Sequence, residues 1–270
     1  MSEKLTPKQA EDVLELIDEI SKCIEENQYK VPYHLNLIDE MHINENGHSR
    51  ILYKILQYQN SEGQYIFLKS LFKYIADHCC KNFGNISVNK PEIDLEKCRI
   101  DLWVRDEDYA VIFENKIYDA KDQDAQIATY IEKTKIDSNK YRSETTADGE
   151  ANIFVVYLPQ RDNKDPEPQT WGKYFDKEIH RNFYAKTSFR SVILPWLKEK
   201  VLPEIPRKDK IFKCAIVQYI DYLEGLFKQR ESDKQLYIMI ENYIKEKLGL
   251  KDDPFVNKQE LERKIKELDE

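Results

Sequence analysis

Asp101, Glu114 and Lys116 lie in two segments that are otherwise mostly apolar. Residues 99–104 and 109–115 are rich in β-branched and aromatic side chains, and the polar run Asp106-Glu107-Asp108 separates them. That pattern predicts an antiparallel hairpin. A two-residue turn at Glu107-Asp108 pairs residues whose numbers sum to 215, which sets Asp101 opposite Glu114. Directly opposed Cβ atoms are roughly 5 Å apart. Side chains alternate along a strand, so Lys116 leaves the same face as Glu114. Two carboxylates held face to face repel each other unless a cation sits between them. The chemistry implied is a hard-cation site with an ammonium beside it, able to handle a proton or stabilise negative charge.

The elements that must position these residues follow from periodicity. Val13, Leu14, Ile17, Ile20 and Ile24 predict a helix over 8–27 with one buried stripe. A second helix is expected to open near Gly47-His48-Ser49 and carry Ile51, Leu52, Ile55 and Leu56. A third runs through Phe67, Leu68, Leu71, Phe72 and Ile75. An extra strand is expected at 86–88, then the hairpin, then a helix over 120–135 with Ile127, Tyr130 and Ile131 on one side. The stretch 135–150 reads as a polar loop. The apolar run 152–158 reads as a strand buried on both faces. A short strand near 183–185 precedes a helix over 188–200 that Pro195 is expected to interrupt. Beyond Pro203 and Pro206, helices are expected over 210–227, 235–248 and 258–268. The order predicts an α/β fold, with a mixed central sheet flanked by helices and a C-terminal helical extension packed on it. The expected boundary separates a domain over 1–205 from the extension over 206–270.

Composition narrows the class. The chain has 270 residues, 41% hydrophobic and 34% charged, with seven glycines and ten prolines. These values argue against disorder and against a loop-rich all-β fold. No apolar run approaches the roughly 18–20 residues that span a bilayer, and 1–16 lack the apolar core of a signal peptide. Five cysteines without a Cys-x-x-Cys pair favour reduced thiols in a cytoplasmic protein. The net charge of −8 gives no support to a nucleic-acid partner. Locally, 171–215 holds eleven lysines and arginines against five acids. That surplus is enough for phosphate contact and equally compatible with a solvated surface.

The order Asp101, then Glu114-Asn115-Lys116, then Gln126-x-x-x-Tyr130 resembles the PD-(D/E)XK nuclease superfamily, and the Gln-x-x-x-Tyr element resembles its RecB-like branch. Glu45-Asn46-Gly47-His48-Ser49 resembles the Glu-x-x-His-Ser signature on the first core helix of an uncharacterised subfamily. Asp122-Gln123-x-x-Gln126 has the same flavour. The resemblance covers about 36–200 and departs from the pattern at Ile100, where the eponymous proline would stand. It implies a restriction-endonuclease-like core in which Asp101, Glu114 and the backbone carbonyl of Asn115 ligate a divalent ion with help from Glu45. By the same resemblance Lys116 orients or deprotonates the attacking water or stabilises charge, while Gln126 and Tyr130 brace the site or contact a nucleic-acid backbone. Magnesium suits such an oxygen set because it retains several waters, and manganese can replace it.

Each motif also has a plainer explanation. Glu-x-Lys recurs at Glu262-Arg263-Lys264 in a charged helix pattern, Glu45 can serve only the helix dipole, and His48 and Ser49 can simply open a helix. The expectation is a magnesium-dependent nuclease, with DNA ahead of RNA on resemblance alone. The alternative is a non-catalytic nucleic-acid-binding or partner-docking module on the same frame, in which the C-terminal helices mediate a homodimer or hold a protein partner.

Overall fold

A computed structural model describes residues 7–27, 33–137 and 152–248. Among these, five strands form one mixed sheet in the order β1 (Glu92–Leu95), β2 (Leu102–Arg105), β3 (Ala110–Lys116), β4 (Ile153–Pro159) and β5 (Tyr184–Lys186). β1, β2 and β3 pair antiparallel, while β4 and β5 run parallel to β3. The hairpin has the expected register: Leu102 faces Phe113 and Arg105 faces Ala110. The Asp106 N–H bonds the Tyr109 carbonyl at 3.0 Å, leaving Glu107 and Asp108 as the turn. Every residue of β3 and β4 is buried, as a strand covered on both faces requires.

The helices are α1 (Pro7–Asn27), α2 (Leu37–Met41), α3 (Glu45–Leu56), α4 (Ile66–His78), α5 (Gln126–Asp137), the short α6 (Pro168–Trp171), α7 (Glu178–Asn182), α8 (Leu194–Trp196) and α9 (Leu202–Glu204), then α10 (Lys210–Leu226) and α11 (Glu231–Leu248). One buried cluster lies between α5 and the sheet and joins Ile127 and Ile131 to Trp103, Ile112, Val155 and Trp171. The expected helix over 258–268 and nearly all of the loop over 135–150 lie outside the described residues.

Four local expectations are corrected. The edge strand is 92–95 rather than 86–88, because the Asp106 carboxylate captures the N–H groups of Asn89 and Lys90 and holds that stretch at the hairpin turn. The helix expected from 120 begins at Gln126. Before it, Asp119 and Ala125 adopt positive φ, and the Ala125 N–H is bonded to the Gln169 carbonyl. Pro195 does not interrupt its helix. A π turn over Phe189–Ile193 precedes it, and a second over Leu197–Val201 precedes Pro203. The wider turn relieves the clash between a proline ring and the carbonyl four residues earlier. Finally, the apolar stripe of α1 is only partly covered: Ile20 and Ile24 are half-buried, whereas Val13, Leu14 and Ile17 are exposed.

Contacts divide the chain into two units, 36–223 and the termini 1–35 with 224–270. In the terminal unit α1 packs on α11, and Lys247 pairs with Glu19 at 2.8 Å. In the larger unit α3 packs on β1 and β3, α5 packs on β3, and α4 packs on α3. No described helix is long and apolar enough to cross a membrane.

Candidate active site

The site forms where β2 begins and β3 ends. Cys98 and Arg99 adopt positive φ just before Asp101, so the ladder starts at Leu102 and Asp101 stands one step beyond it, at the register position facing Glu114. Its side chain replaces the missing backbone partner: the Asn115 N–H donates to Asp101 Oδ2 at 2.7 Å. An extended residue turns its N–H and C=O to the same edge. The Asn115 carbonyl therefore faces the Asp101 side, where a ligand carbonyl is expected. Glu96, Cys98 and Arg99 before Asp101, and Asp119 and Ala125 after Lys116, are non-glycine residues at positive φ. Such backbone costs free energy and clusters where side chains are held for function.

Glu114 is 2% exposed. Its Oε1 accepts from Lys116 Nζ at 2.8 Å and from Gln126 Nε2 at 2.9 Å. Its Oε2 is buried with no hydrogen-bond partner. Burial, and then the charge of Asp101, push the Glu114 carboxyl up to about 7. Burial likewise raises Asp101, against the pull of the Asn115 N–H and Lys116. For Lys116, burial alone would lower the ammonium; the charge and hydrogen bond of Glu114 outweigh it and hold it above its usual range. A buried carboxylate with one orphaned oxygen and a second carboxylate beside it is a donor set that a divalent cation fits.

Gln126 donates to both Glu114 Oε1 and the Tyr130 hydroxyl, the latter at 2.9 Å, so the i, i+4 pair on α5 acts as a strut behind the carboxylate. Burial, then the charge of Glu114, raise the Tyr130 phenol, which keeps its proton. Gln123 is exposed and meets Gln126 through its backbone: its carbonyl accepts the Gln126 N–H at 3.2 Å. Glu45 sits in the first turn of α3, and its Oε1 accepts the Tyr118 N–H at 3.1 Å. Its charge is felt at both Asp101 and Lys116.

His48 and Ser49 do not open α3. Asn44 is the N-cap, with its side chain on the Gly47 N–H, and both residues are buried. Ser49 Oγ donates to the Glu45 carbonyl at 3.2 Å and accepts from Asn115 Nδ2 at 3.0 Å. Asn115 Nδ2 also donates to the Glu45 carbonyl at 2.9 Å, and its Oδ1 accepts the Ile117 N–H at 3.1 Å. This one side chain locks β3 to the first turn of α3. Asn115→Ala is expected to lose about 2–4 kcal/mol of stability in urea unfolding, since it leaves several buried partners unsatisfied. A loss under about 0.5 kcal/mol would show that the lock is redundant.

Sequence reasoning named Asp122 within a motif but gave it no role, and passed over Tyr157, Tyr118, Tyr219 and Tyr222. Tyr157 neighbours Glu114 across the parallel pair and donates to Asp122 Oδ1 at 2.9 Å, while Asp122 Oδ2 accepts the Glu167 N–H. The charge of Asp122 reaches Glu114 and Lys116. The motif Asp122-Gln123-x-x-Gln126 was the signal that could have pointed to it. The tyrosines of α10 look like ordinary core residues in the sequence.

A mixed sheet with helices on both faces, carrying Asp, Glu and Lys at the end of its central hairpin, defines a restriction-endonuclease-like α/β domain. A model of the PD-(D/E)XK nuclease superfamily matches residues 35–221, and the chain belongs to that superfamily. No curated protein and no solved structure matches it.

Proposed function

We propose that the chain is a divalent-metal-dependent nuclease that hydrolyses phosphodiester bonds, with DNA as the preferred substrate. The observation that carries this reading is Glu114, a buried carboxylate with one unpartnered oxygen, next to Asp101 and bonded to Lys116. A scaffold without a cation would gain nothing from that arrangement, because a carboxylate oxygen buried with no hydrogen-bond partner, beside a second carboxylate, is costly. The bound ion, magnesium or manganese, would supply Lewis acidity at the scissile phosphate and acidify water. Asp101, Glu114, Glu45 and the Asn115 carbonyl would hold that ion, and Gln126 with Tyr130 keeps Glu114 in place. Lys116 delivers its ammonium to the charge that develops at phosphorus. In the alternative role, a cation beside it would draw it toward its neutral form, in which it would take a proton from the attacking water. The Gln126–Tyr130 pair is in keeping with the RecB-like branch.

A second reading, a non-catalytic nucleic-acid or partner-docking module, is favoured by the net charge of −8 and by the basic segment, where Lys173, Arg181 and Lys186 are each tied to a carboxylate. In that reading the helices from 206 onward would hold a second copy or a protein partner. The deciding experiment is incubation of circular and linear DNA, and of RNA, with magnesium, manganese or EDTA in a cytoplasm-like buffer. Metal-dependent scission establishes the nuclease, and nicking of the circle makes it an endonuclease. Salt-dependent binding without scission in any metal replaces it with the second reading.

A further inference from the structure

His48 is fully buried, and burial lowers its imidazole to about 3, so the ring is neutral, with one donor and one acceptor nitrogen. Its Nδ1 lies 3.0 Å from the Tyr219 hydroxyl and its Nε2 lies 3.2 Å from the Tyr118 hydroxyl. The Tyr118 hydroxyl also lies 2.8 Å from the Ile43 carbonyl and 2.5 Å from the Tyr222 hydroxyl. A carbonyl only accepts, so Tyr118 directs its single proton to Ile43 and receives protons from its other two neighbours. Nε2 of His48 therefore carries the imidazole proton, Nδ1 accepts from Tyr219, and Tyr222 donates to Tyr118. Every polar hydrogen of the four rings then has one assigned acceptor, which fixes the tautomer and the position of Tyr118.

Tyr118 follows Lys116 by two residues, in a turn closed by the Asp119 N–H on the Lys116 carbonyl at 3.0 Å. Its backbone N–H is the group that holds Glu45 Oε1. The side chain is thus bonded just before the start of α3, to His48 within it and to α10, and the backbone of the same residue holds Glu45, the carboxylate that the reading above assigns to the cation. We propose that Tyr118 is a positioning residue for Glu45, and that Tyr219 and Tyr222 of α10, acting through His48 and the Tyr118 hydroxyl, make α10 an integral part of the metal site. The proposal rests on the reading of that site given above, and it assigns the tyrosines to cation affinity rather than to the chemical step.

Calorimetric titration of the full chain with manganese alone tests it without requiring cleavage. Tyr118→Phe removes the hydroxyl and keeps the ring. Loss of an outer partner of a metal ligand typically weakens binding by about 10–100-fold, so Tyr118→Phe is expected to weaken manganese binding about tenfold, with a smaller loss in Tyr222→Phe. In cleavage assays the magnesium concentration for half-maximal rate should rise by the same factor, while kcat at saturating magnesium stays within about twofold. Tyr58→Phe is the control: it removes a hydroxyl that bonds Asp209 at 2.8 Å and should lower the melting temperature without changing cation affinity. If folded Tyr118→Phe and Tyr222→Phe bind manganese within twofold of wild type, the positioning role is overturned and the nuclease reading survives. If the wild type itself binds no manganese, the metal site and this inference fall together.

Discussion

Glu114→Gln should melt about 5–10 °C above the wild type at pH 8 in EDTA, and it should cleave nothing in magnesium. The cause is the carboxyl held near 7 against an ordinary 4.5. Between those values the folded chain keeps a proton that the unfolded chain has released, so the contribution of Glu114 to stability falls as pH rises through the window and is constant on either side. At pH 8 the ionised carboxylate costs the fold about 3 kcal/mol. Glutamine mimics the protonated side chain and avoids that cost, so the gap between variant and wild type should close as pH falls toward 4.5. Magnesium at about a hundred times its dissociation constant should return about 2.7 kcal/mol to the wild type. It should leave the variant unmoved. The check is a set of thermal melts at several pH values, with and without magnesium. Equal melting temperatures at pH 8 would mean that Glu114 is not under the strain described, and the case for a cation there would lose its main support.

Lys116→Ala should separate metal binding from chemistry. The ammonium lies 2.8 Å from Glu114 Oε1 and is 5% exposed. Removing it takes away a cation that competes with the metal for the same oxygen, so manganese should bind at least as tightly as in the wild type at pH 8.5. Cleavage should fall by about 10²–10⁴-fold, the range for loss of a positioned acid–base or charge-stabilising group. The fall should lie in kcat, with the KM for DNA nearly unchanged. Lys116→Arg then divides the two roles: it keeps a positive charge but never gives up its proton. Partial recovery would assign Lys116 to charge stabilisation, and no recovery would assign it to proton transfer. Cleavage by Lys116→Ala within about tenfold of wild type would remove the lysine from the reaction.

Much of this was legible because strands have a strict period of two. Once the turn was placed at Glu107-Asp108, register followed by counting, and the side-chain faces of Glu114 and Lys116 with it. Gln126 and Tyr130 were readable as neighbours for the same kind of reason, since residues four apart on a helix meet. Asp101, Glu114, Asn115, Lys116, Gln126 and Tyr130 thus came from local geometry and from resemblance to a nuclease family. Boundaries were less legible. The start of α5 depends on Asp122 bonding Tyr157 and on Ala125 bonding Gln169, partners 35 and 44 residues away in sequence. The uninterrupted helix through Pro195 depends on π turns, which leave no periodic signature.

The sequence by itself determined the nuclease-type frame: the hairpin register, the opposed carboxylates, the lysine on the same face and the buried parallel strand. Tertiary structure alone decided how tightly these residues are held. The orphaned oxygen of Glu114, the lock made by Asn115 on α3, and the tyrosines of α10 around His48 all arise from contacts between segments far apart in the chain. Burial and hydrogen-bond pairing are properties of such contacts, and they set the charge state and aim of each group. Residue spacing supplies which groups can meet; only packing supplies what each meeting costs.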